Sequence, residues 1–405
     1  MTGFARSSVC GMLWTAGGRV AVRGMQFVVG IFLARLLTPA DFGLVGMLGV
    51  FIGVSEMFVD CGFPLALVRK VDRTDEDAST VFWFSLGVAA VCYAVLFFGA
   101  SAIAGFFGEP RLALVARVVT TGILFGALTS VPRALLRAQL KFRELSAISI
   151  AVIAVSGALG IFFAYRGFGA WALVLQGVIG GVVGLVLTYA VAHWLPGFAF
   201  SRASFREFFS FGWKHLASSI VNAVYYHAYS LVIGRTLGSA SVGVYARAHS
   251  WASLPPQVVT EAMTSVNYPL LARLQGDNKA LRSSYGRLAA LSLIMLVPAL
   301  GLMAAFAEQL VGFVLGTHWL CCVPYIRILV LGLAFEPMMC LYQNMLYLKG
   351  RTDVVLKLEL LQKPVCFGLV FAGIPFGLKG LCVAKAASTM FMAATNFAVA
   401  RRVAR

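Results

Sequence analysis

Arg19 and Arg23 stand four residues apart inside an apolar run spanning 10–36, and Arg247 and Lys363 stand in comparable runs further along the chain. In the hydrocarbon of a membrane an ionised side chain costs about 2.5–3.5 kcal/mol on insertion scales, so it turns toward protein or water. With Lys385, these isolated charges are mainly cationic. A water-filled cavity lined by guanidinium and ammonium groups suits an anion such as a pyrophosphate, whose oxygens accept the forked donors of Arg.

Uncharged polar groups form a second pattern. His215, Ser219, Asn222, Tyr226 and Tyr229 follow spacings of 4, 3, 4 and 3, which draws one stripe down a helix. Such a stripe serves either as a hydrogen-bonded seam or as a cavity wall, and His215, near one end, adds a proton-relay reading. Glu56 and Asp60 are also four apart, at a depth that brackets Arg19 if the first two runs are antiparallel; an ion-pair network is expected there. Glu261 shares a side with Arg247, Ser250 and Gln257, and the Pro255-Pro256 pair between them is expected to bend that helix. The acidic cluster Asp72, Asp75, Glu76 and Asp77 reads as a helix start rather than a metal-nucleotide site. Thr74 is the cap, Asp77 is its partner three residues on, and the acids lie in the positive first turn.

The elements that position these groups follow from composition. The chain has 405 residues, 60% hydrophobic and 12% charged, with a mean hydropathy of +0.87. Soluble domains are about 45–50% apolar and about 25% charged, so the expected class is an all-α polytopic membrane protein. Twelve candidate spans are read at 10–36, 43–66, 79–107, 112–138, 143–165, 170–192, 211–234, 242–270, 283–305, 322–348, 355–376 and 378–400. Several approach or exceed the ~20 residues that a bilayer core of about 30 Å requires.

A net charge of +17 would suit nucleic acid, but its placement points elsewhere. Segments 67–78, 132–144, 200–214, 272–287, 349–357 and the tail from Arg401 each hold three or four Lys/Arg, while the intervening loops hold about one each: Arg35, Arg111, Arg166, Arg235 and Lys379. The positive-inside rule then sets both termini in the cytoplasm. No cleavable leader is evident at the start. The eight cysteines (10, 61, 92, 321, 322, 340, 366, 382) show no CxxC pair and read as packing residues; no metal or cofactor is expected.

RLLTPADFG at 35–43 and RTLGSASVG at 235–243 match in four of nine positions at an offset of 200. Together with the break at 193–210 this divides the chain into six-helix lobes at 1–195 and 211–405, joined by a cytoplasmic linker at 196–210. Six being even, the two lobes have the same orientation, a parallel repeat of the kind found in secondary transporters.

The segments ARLLTPADFGLVGM (34–47), VDCGFPLALVRKVDRTDEDASTVFWFSL (59–86), IGRTLGSASVGVYARAHSWASLPPQVV (233–259) and LYLKGRTDVV (346–355) resemble the Wzx-type polysaccharide and O-antigen flippases. They are most similar to the WzxC/TuaB-like lipopolysaccharide-biosynthesis branch of the multidrug/oligosaccharidyl-lipid/polysaccharide exporter superfamily. The resemblance implies a V of two lobes working by alternating access, and polyprenyl-pyrophosphate-linked oligosaccharide as substrate. By position it marks Arg19 and Arg23, with Arg247 as a further candidate; Lys363 has no motif-level match. Many members have fourteen helices where twelve are read here, and Tyr229 stands where similar sequences often carry Asp.

Three functions compete. A flippase for lipid-linked oligosaccharide would use Arg19, Arg23, Arg247, Lys363, His215, Asn222 and Tyr226 as substrate-facing groups. It would draw on the membrane potential or an ion gradient, with membrane lipids and a polysaccharide polymerase or export machinery as partners. A cation-coupled multidrug exporter would use Glu56, Asp60 and Glu261 as coupling acids. A membrane enzyme would need a large external loop carrying acid, base or metal groups, and by the charge rule the external loops are all short.

Overall fold

A backbone in hydrocarbon has no water to bond with, so apolar runs of this length satisfy their N–H and C=O groups internally, as helices. The structure, a computed structural model, describes the backbone of residues 2–70, 72–261, 263, 278–348 and 351–403; within those stretches the side chains of 2–16, 19, 210–212, 214, 215, 217–219, 221, 222, 278–283, 347, 348, 352, 353, 356 and 403 are not described. Every described element is a helix: α1 (Thr2–Leu36), α2 (Pro39–Asp60), α3 (Phe63–Arg69), α4 (Asp75–Phe107), α5 (Leu112–Val119), α6 (Thr121–Ala138), α7 (Phe142–Tyr165), α8 (Ala170–Ala192), α9 (Arg202–Ala252), α10 (Asn278–Ala305), α11 (Ala307–Val314), α12 (Val323–Leu333), α13 (Glu336–Leu348), α14 (Thr352–Gly373) and α15 (Gly377–Val403), with 3-10 turns at Thr317–Cys322 and Ile374–Phe376.

Among the described residues eight segments are long and apolar enough to cross a membrane, the last being Lys357–Arg402, of 46 residues. At 1.5 Å per residue that segment would run about 69 Å, twice a bilayer core. It is folded back on itself at the Ile374–Phe376 turn, where Gly373 and Gly380 meet so closely that neither has room for a Cβ.

The chain divides into two compact units, Met1–Ala240 and Ser241–Arg405. In the first, α1 lies along α7, α7 along α8, and α6 against both α4 and α8. Gly157 of α7 leaves room for Val29 of α1, and Gly18 of α1 for Ser146. In the second unit α15 is the central helix, packed on α12, α13 and α14.

Helix starts follow the local chemistry of the sequence. Thr74 caps α4: its hydroxyl accepts from the Asp77 amide at 3.1 Å, and the Asp77 carboxylate accepts from the Thr74 amide at 3.0 Å. The acidic cluster is thus a capping box. Thr38 and Asp41 build the same device at the start of α2, inside the first repeat copy. The second copy differs. Gly238, the counterpart of Thr38, interrupts α9 alone with φ +81°, a conformation that suits glycine. Further on, α9 ends at Ala252 and residues 254–261 are helical again after a turn at Ser253. Pro255 and Pro256 therefore lie in the first turn of the resumed helix, where a missing N–H costs little, and the helix is interrupted at Ser253, just before the pair expected to bend it.

Asp77 also anchors one end of the first unit. Lys70 donates to Asp77 at 3.1 Å and to Glu207 of α9 at 3.0 Å, and its ammonium lies 5.5 Å from the Phe208 ring centroid. Residues 197–201 are tied to α4 as well. Trp83 donates to the Gly197 carbonyl, Gly197 donates to Ser79, and Ser201 donates to Thr80. Phe63, Leu67, Val81, Phe82, Val131 and Phe208 form the apolar core beneath. The stretch read as a linker is thus fastened to the N-terminal unit.

Hydrogen bonds donated to Asp77, then to Glu207, raise the Lys70 pKa above its ordinary value of 10.5. A raised pKa means that this stabilisation is complete below that value and lost as pH rises past it. The thermal midpoint of the detergent-solubilised protein should fall above pH 10.5, and fall less steeply in Lys70→Met. Removing the α4 cap with Thr74→Ala should cost about 1 kcal/mol, read from the same melting curves.

Candidate functional site

The intramembrane polar groups fall into separate sets in the two units. In the first, Arg23 is exposed on α1, Glu56 and Asp60 are exposed on α2, and Tyr226 is exposed on α9. Glu56 and Asp60 share a face one turn apart. Tyr226 is 61% exposed while Tyr229, three residues on, is fully buried. The two tyrosines therefore do different work, although both lie on the expected stripe. The Arg19, His215 and Asn222 side chains lie outside the described residues, as does that of Ser219.

In the second unit Arg247 is half-buried, with its guanidinium 5.3 Å from the ring centroid of fully buried Trp319. The face of an indole attracts a cation. The same stretch of α9 is pinned by the Cys322 thiol, which donates to the Val244 carbonyl at 3.6 Å. Glu261 is exposed. Lys363 on α14 and Glu336 at the start of α13 both act electrostatically on Lys385 of α15. About three turns along α15 from Lys385, and beside Lys363, the packing is polar too: buried Gln362 donates to Asn396 at 3.0 Å and to Thr395. The structure thus gathers Lys363 and Lys385 in one helix cluster with an acid, Glu336, that the sequence reading passed over.

A second feature the sequence reading passed over is a seam in the first unit. Gly43, Gly49 and Gly53 lie along α2, and residues 227–239 of α9 lie on them. A methyl group at Gly43 would overlap the Ser239 carbonyl, and one at Gly53 would press into the His227 ring. From the other side, Gly234 leaves room for Phe107 and Met47. Polar bonds lock the same end. The Ser239 hydroxyl donates to Glu109 at 2.8 Å. Arg235 donates to the Phe106 carbonyl, and its guanidinium lies 5.2 Å from that ring's centroid. Glycines at 43, 46, 49 and 53, three to four residues apart, were the available signal. It brings the two repeat copies into contact, so the repeat is a packing element.

Residues 32–324 match the family model described as "Polysaccharide biosynthesis protein". The chain belongs to this family. The matched range takes in three of the four segments that carry the resemblance to the Wzx-type flippases. Among curated relatives, this family member is 27% identical over 319 residues to the succinoglycan biosynthesis transport protein ExoT of Rhizobium meliloti, covering 79% of this chain and 65% of that protein. It thus spans just under two thirds of that relative's length. It is 25% identical to the teichuronic acid biosynthesis protein TuaB of Bacillus subtilis, over 87% of this chain and 74% of the relative. It is 23% identical to the lipopolysaccharide biosynthesis protein WzxC of Escherichia coli, over 86% and 72%. Two solved structures share its fold. One is an inward-facing multidrug resistance transporter of the MATE family of the MOP superfamily, with a TM-score of 0.74 at 18% identity and 94% of each chain covered. The other is the lipid II flippase MurJ in an inward closed conformation, with a TM-score of 0.76 at 13% identity, covering 94% of this chain and 87% of that one. The family member is thus an all-α, multi-pass membrane protein with the MOP-type fold.

The seam makes a sharp stability prediction. Gly99 of α4 has open space where a Cβ would go, whereas Gly43 does not. Gly99→Ala should be neutral or stabilising by up to about 1 kcal/mol, and Gly43→Ala should destabilise; melting curves of the two variants decide it. Ser239→Ala and Glu109→Gln should be non-additive by about 1 kcal/mol in a double-mutant cycle.

Proposed function

We propose that this protein is a flippase that carries polyprenyl-pyrophosphate-linked oligosaccharide from the cytoplasmic to the periplasmic leaflet of a bacterial inner membrane, with both termini in the cytoplasm. The observation that carries this reading is the family match over residues 32–324 on a chain with many membrane-crossing helices. The relatives named for succinoglycan transport, teichuronic acid and lipopolysaccharide biosynthesis support the substrate class, a glycan assembled at a membrane.

Chemically, the pyrophosphate is the demanding part of such a cargo. Moving an anion through hydrocarbon requires cations to replace its water. Arg23 on α1 and Arg247 on α9, with Arg19, Lys363 and the polar side chains of His215, Asn222 and Tyr226, are the proposed substrate-facing groups. The Arg247 fork, held over Trp319, is suited to bidentate contact with phosphate oxygens. The polyprenyl chain stays in lipid. An inside-negative potential favours outward movement of the anionic head by about 2.3 kcal/mol per charge per 100 mV, so no nucleotide hydrolysis is needed. The two six-helix halves, 1–195 and 211–405 joined by 196–210, would alternate access. This is transport rather than catalysis; the partners are the lipid-linked glycan, membrane lipids and a polysaccharide polymerase or export machinery.

The alternative, a cation-coupled multidrug exporter, is supported by the fold shared with the MATE transporter and by the exposed carboxylates of Glu56, Asp60 and Glu261.

Vesicles loaded with fluorescent polyprenyl-pyrophosphate glycan separate the two. Translocation should occur without ATP and slow when the potential is collapsed. It should fall about tenfold or more in Arg23→Ala, matching the loss of a charge-assisted bond worth about 1.5–3 kcal/mol. Unchanged rates in Arg23→Ala would remove Arg23 from the site. Drug efflux that depends on Glu56 and Asp60, with no lipid translocation, would establish the exporter instead.

A further inference from the structure

At the ends of α1 and α7 the first unit holds a groove of about 460 Å³, with Phe32, Arg35 and Leu36 on one wall and Ala158, Ile161, Phe162 and Tyr165 on the other. Deeper along the pair the helices are in close contact, with Val29 filling the space left by Gly157. Toward Leu36 and Tyr165, where both helices terminate, the walls are large apolar side chains that remain uncovered. Phe32 is 51% exposed, Phe162 48% and Tyr165 79%.

Two cations stand at this end. Arg35, in the last turn of α1, lines the groove itself. Arg166, at the end of α7, places its guanidinium 5.1 Å from the Phe162 ring centroid, over one of the groove walls. Cations at helix C-termini are favourable by themselves, but that does not account for their convergence on a single apolar slot. The loops on this side of the chain carry about one basic residue each, and here two of them meet.

An apolar slot running along two helices, with guanidinium groups at the level where the helices end, has the chemistry of one lipid chain below a phosphate. Tyr165 at the mouth is of a type that settles at a membrane interface, and the basic pair supplies what an anionic headgroup seeks. We propose that this groove is a binding site for an anionic phospholipid, with one acyl chain between α1 and α7 and the phosphate held by Arg35 and Arg166. The assignment stands apart from the flippase reading, because it concerns a resident lipid and uses none of the groups proposed to face the cargo.

Native mass spectrometry tests it on the full-length protein, purified from nanodiscs of phosphatidylcholine doped with phosphatidylglycerol. The wild type should retain one phosphatidylglycerol in strong preference to phosphatidylcholine. Arg35→Gln combined with Arg166→Gln should weaken that retention about thirtyfold, from two basic groups near a headgroup. Ala158→Trp, which fills the groove and keeps the charge, should also expel the lipid. Lys379→Gln, an exposed basic residue in the first turn of α15, should change nothing; melting curves confirm that each variant is folded. The proposal is overturned if retention survives both groove variants or if Lys379→Gln lowers it as much. It is also overturned if phosphatidylcholine is held equally, or if added polyprenyl phosphate displaces the phospholipid at equal concentration.

Discussion

In a bilayer core no water is available to satisfy a stray backbone group or solvate a charge, and the organisation of this protein follows from that scarcity. Each long helix must bond its own backbone and finish where a cap, a turn or the interface can take over. The two Thr-Asp capping boxes, Thr38 with Asp41 and Thr74 with Asp77, are placed where α2 and α4 begin. At α4 one carboxylate serves twice: Asp77 closes the box and holds Lys70, which in turn reaches Glu207. A single local solution to a helix-start problem thereby becomes a tie between α4 and the beginning of α9.

Helix association in lipid has little hydrophobic drive, since acyl chains are as apolar as leucine, and so depends on close approach and polar bonds. Both appear where α9 meets α2. Glycines at 43, 49 and 53 remove the side chains that would hold the backbones apart, and Ser239, Glu109 and Arg235 add directional bonds at one end. The contact between Gly43 and Ser239 joins the two copies of the repeat. This makes the repeat a place where the chain touches itself.

The polar groups buried in helices show how the same constraint divides labour. Some are spent on structure: Gln362 on Asn396 and Thr395, Thr120 and Thr129 on carbonyls one turn back. Others keep their charge, as with Arg23 on an exposed face and Arg247 over the Trp319 ring. Tyr226 and Tyr229 illustrate how close these fates can be. Three residues apart on one helix, one is largely exposed and the other completely enclosed, because a stripe 40–60° wide on a helix is enough to straddle a packing boundary.

Sequence alone determined what depends on neighbours along the chain. The helical membrane class followed from hydropathy, the start of α4 from a Thr and an Asp three residues apart, and the family from motifs at helix ends. The cations that mark the candidate site were legible for the same reason, because a charge in an apolar run is conspicuous wherever it points. Tertiary structure decided what depends on which helices meet. Arg35 and Arg235 occupy equivalent places in the repeat, yet one borders an apolar groove beside Phe162 and the other binds Phe106. Glu336 comes near Lys385, 49 residues later, and Ser79 bonds Gly197, 118 residues away. Hydrophobicity cannot specify such pairings, because every lipid-compatible face is apolar. They are specified by the fit of small residues against large ones across two helices, and that fit exists only once the helices are packed.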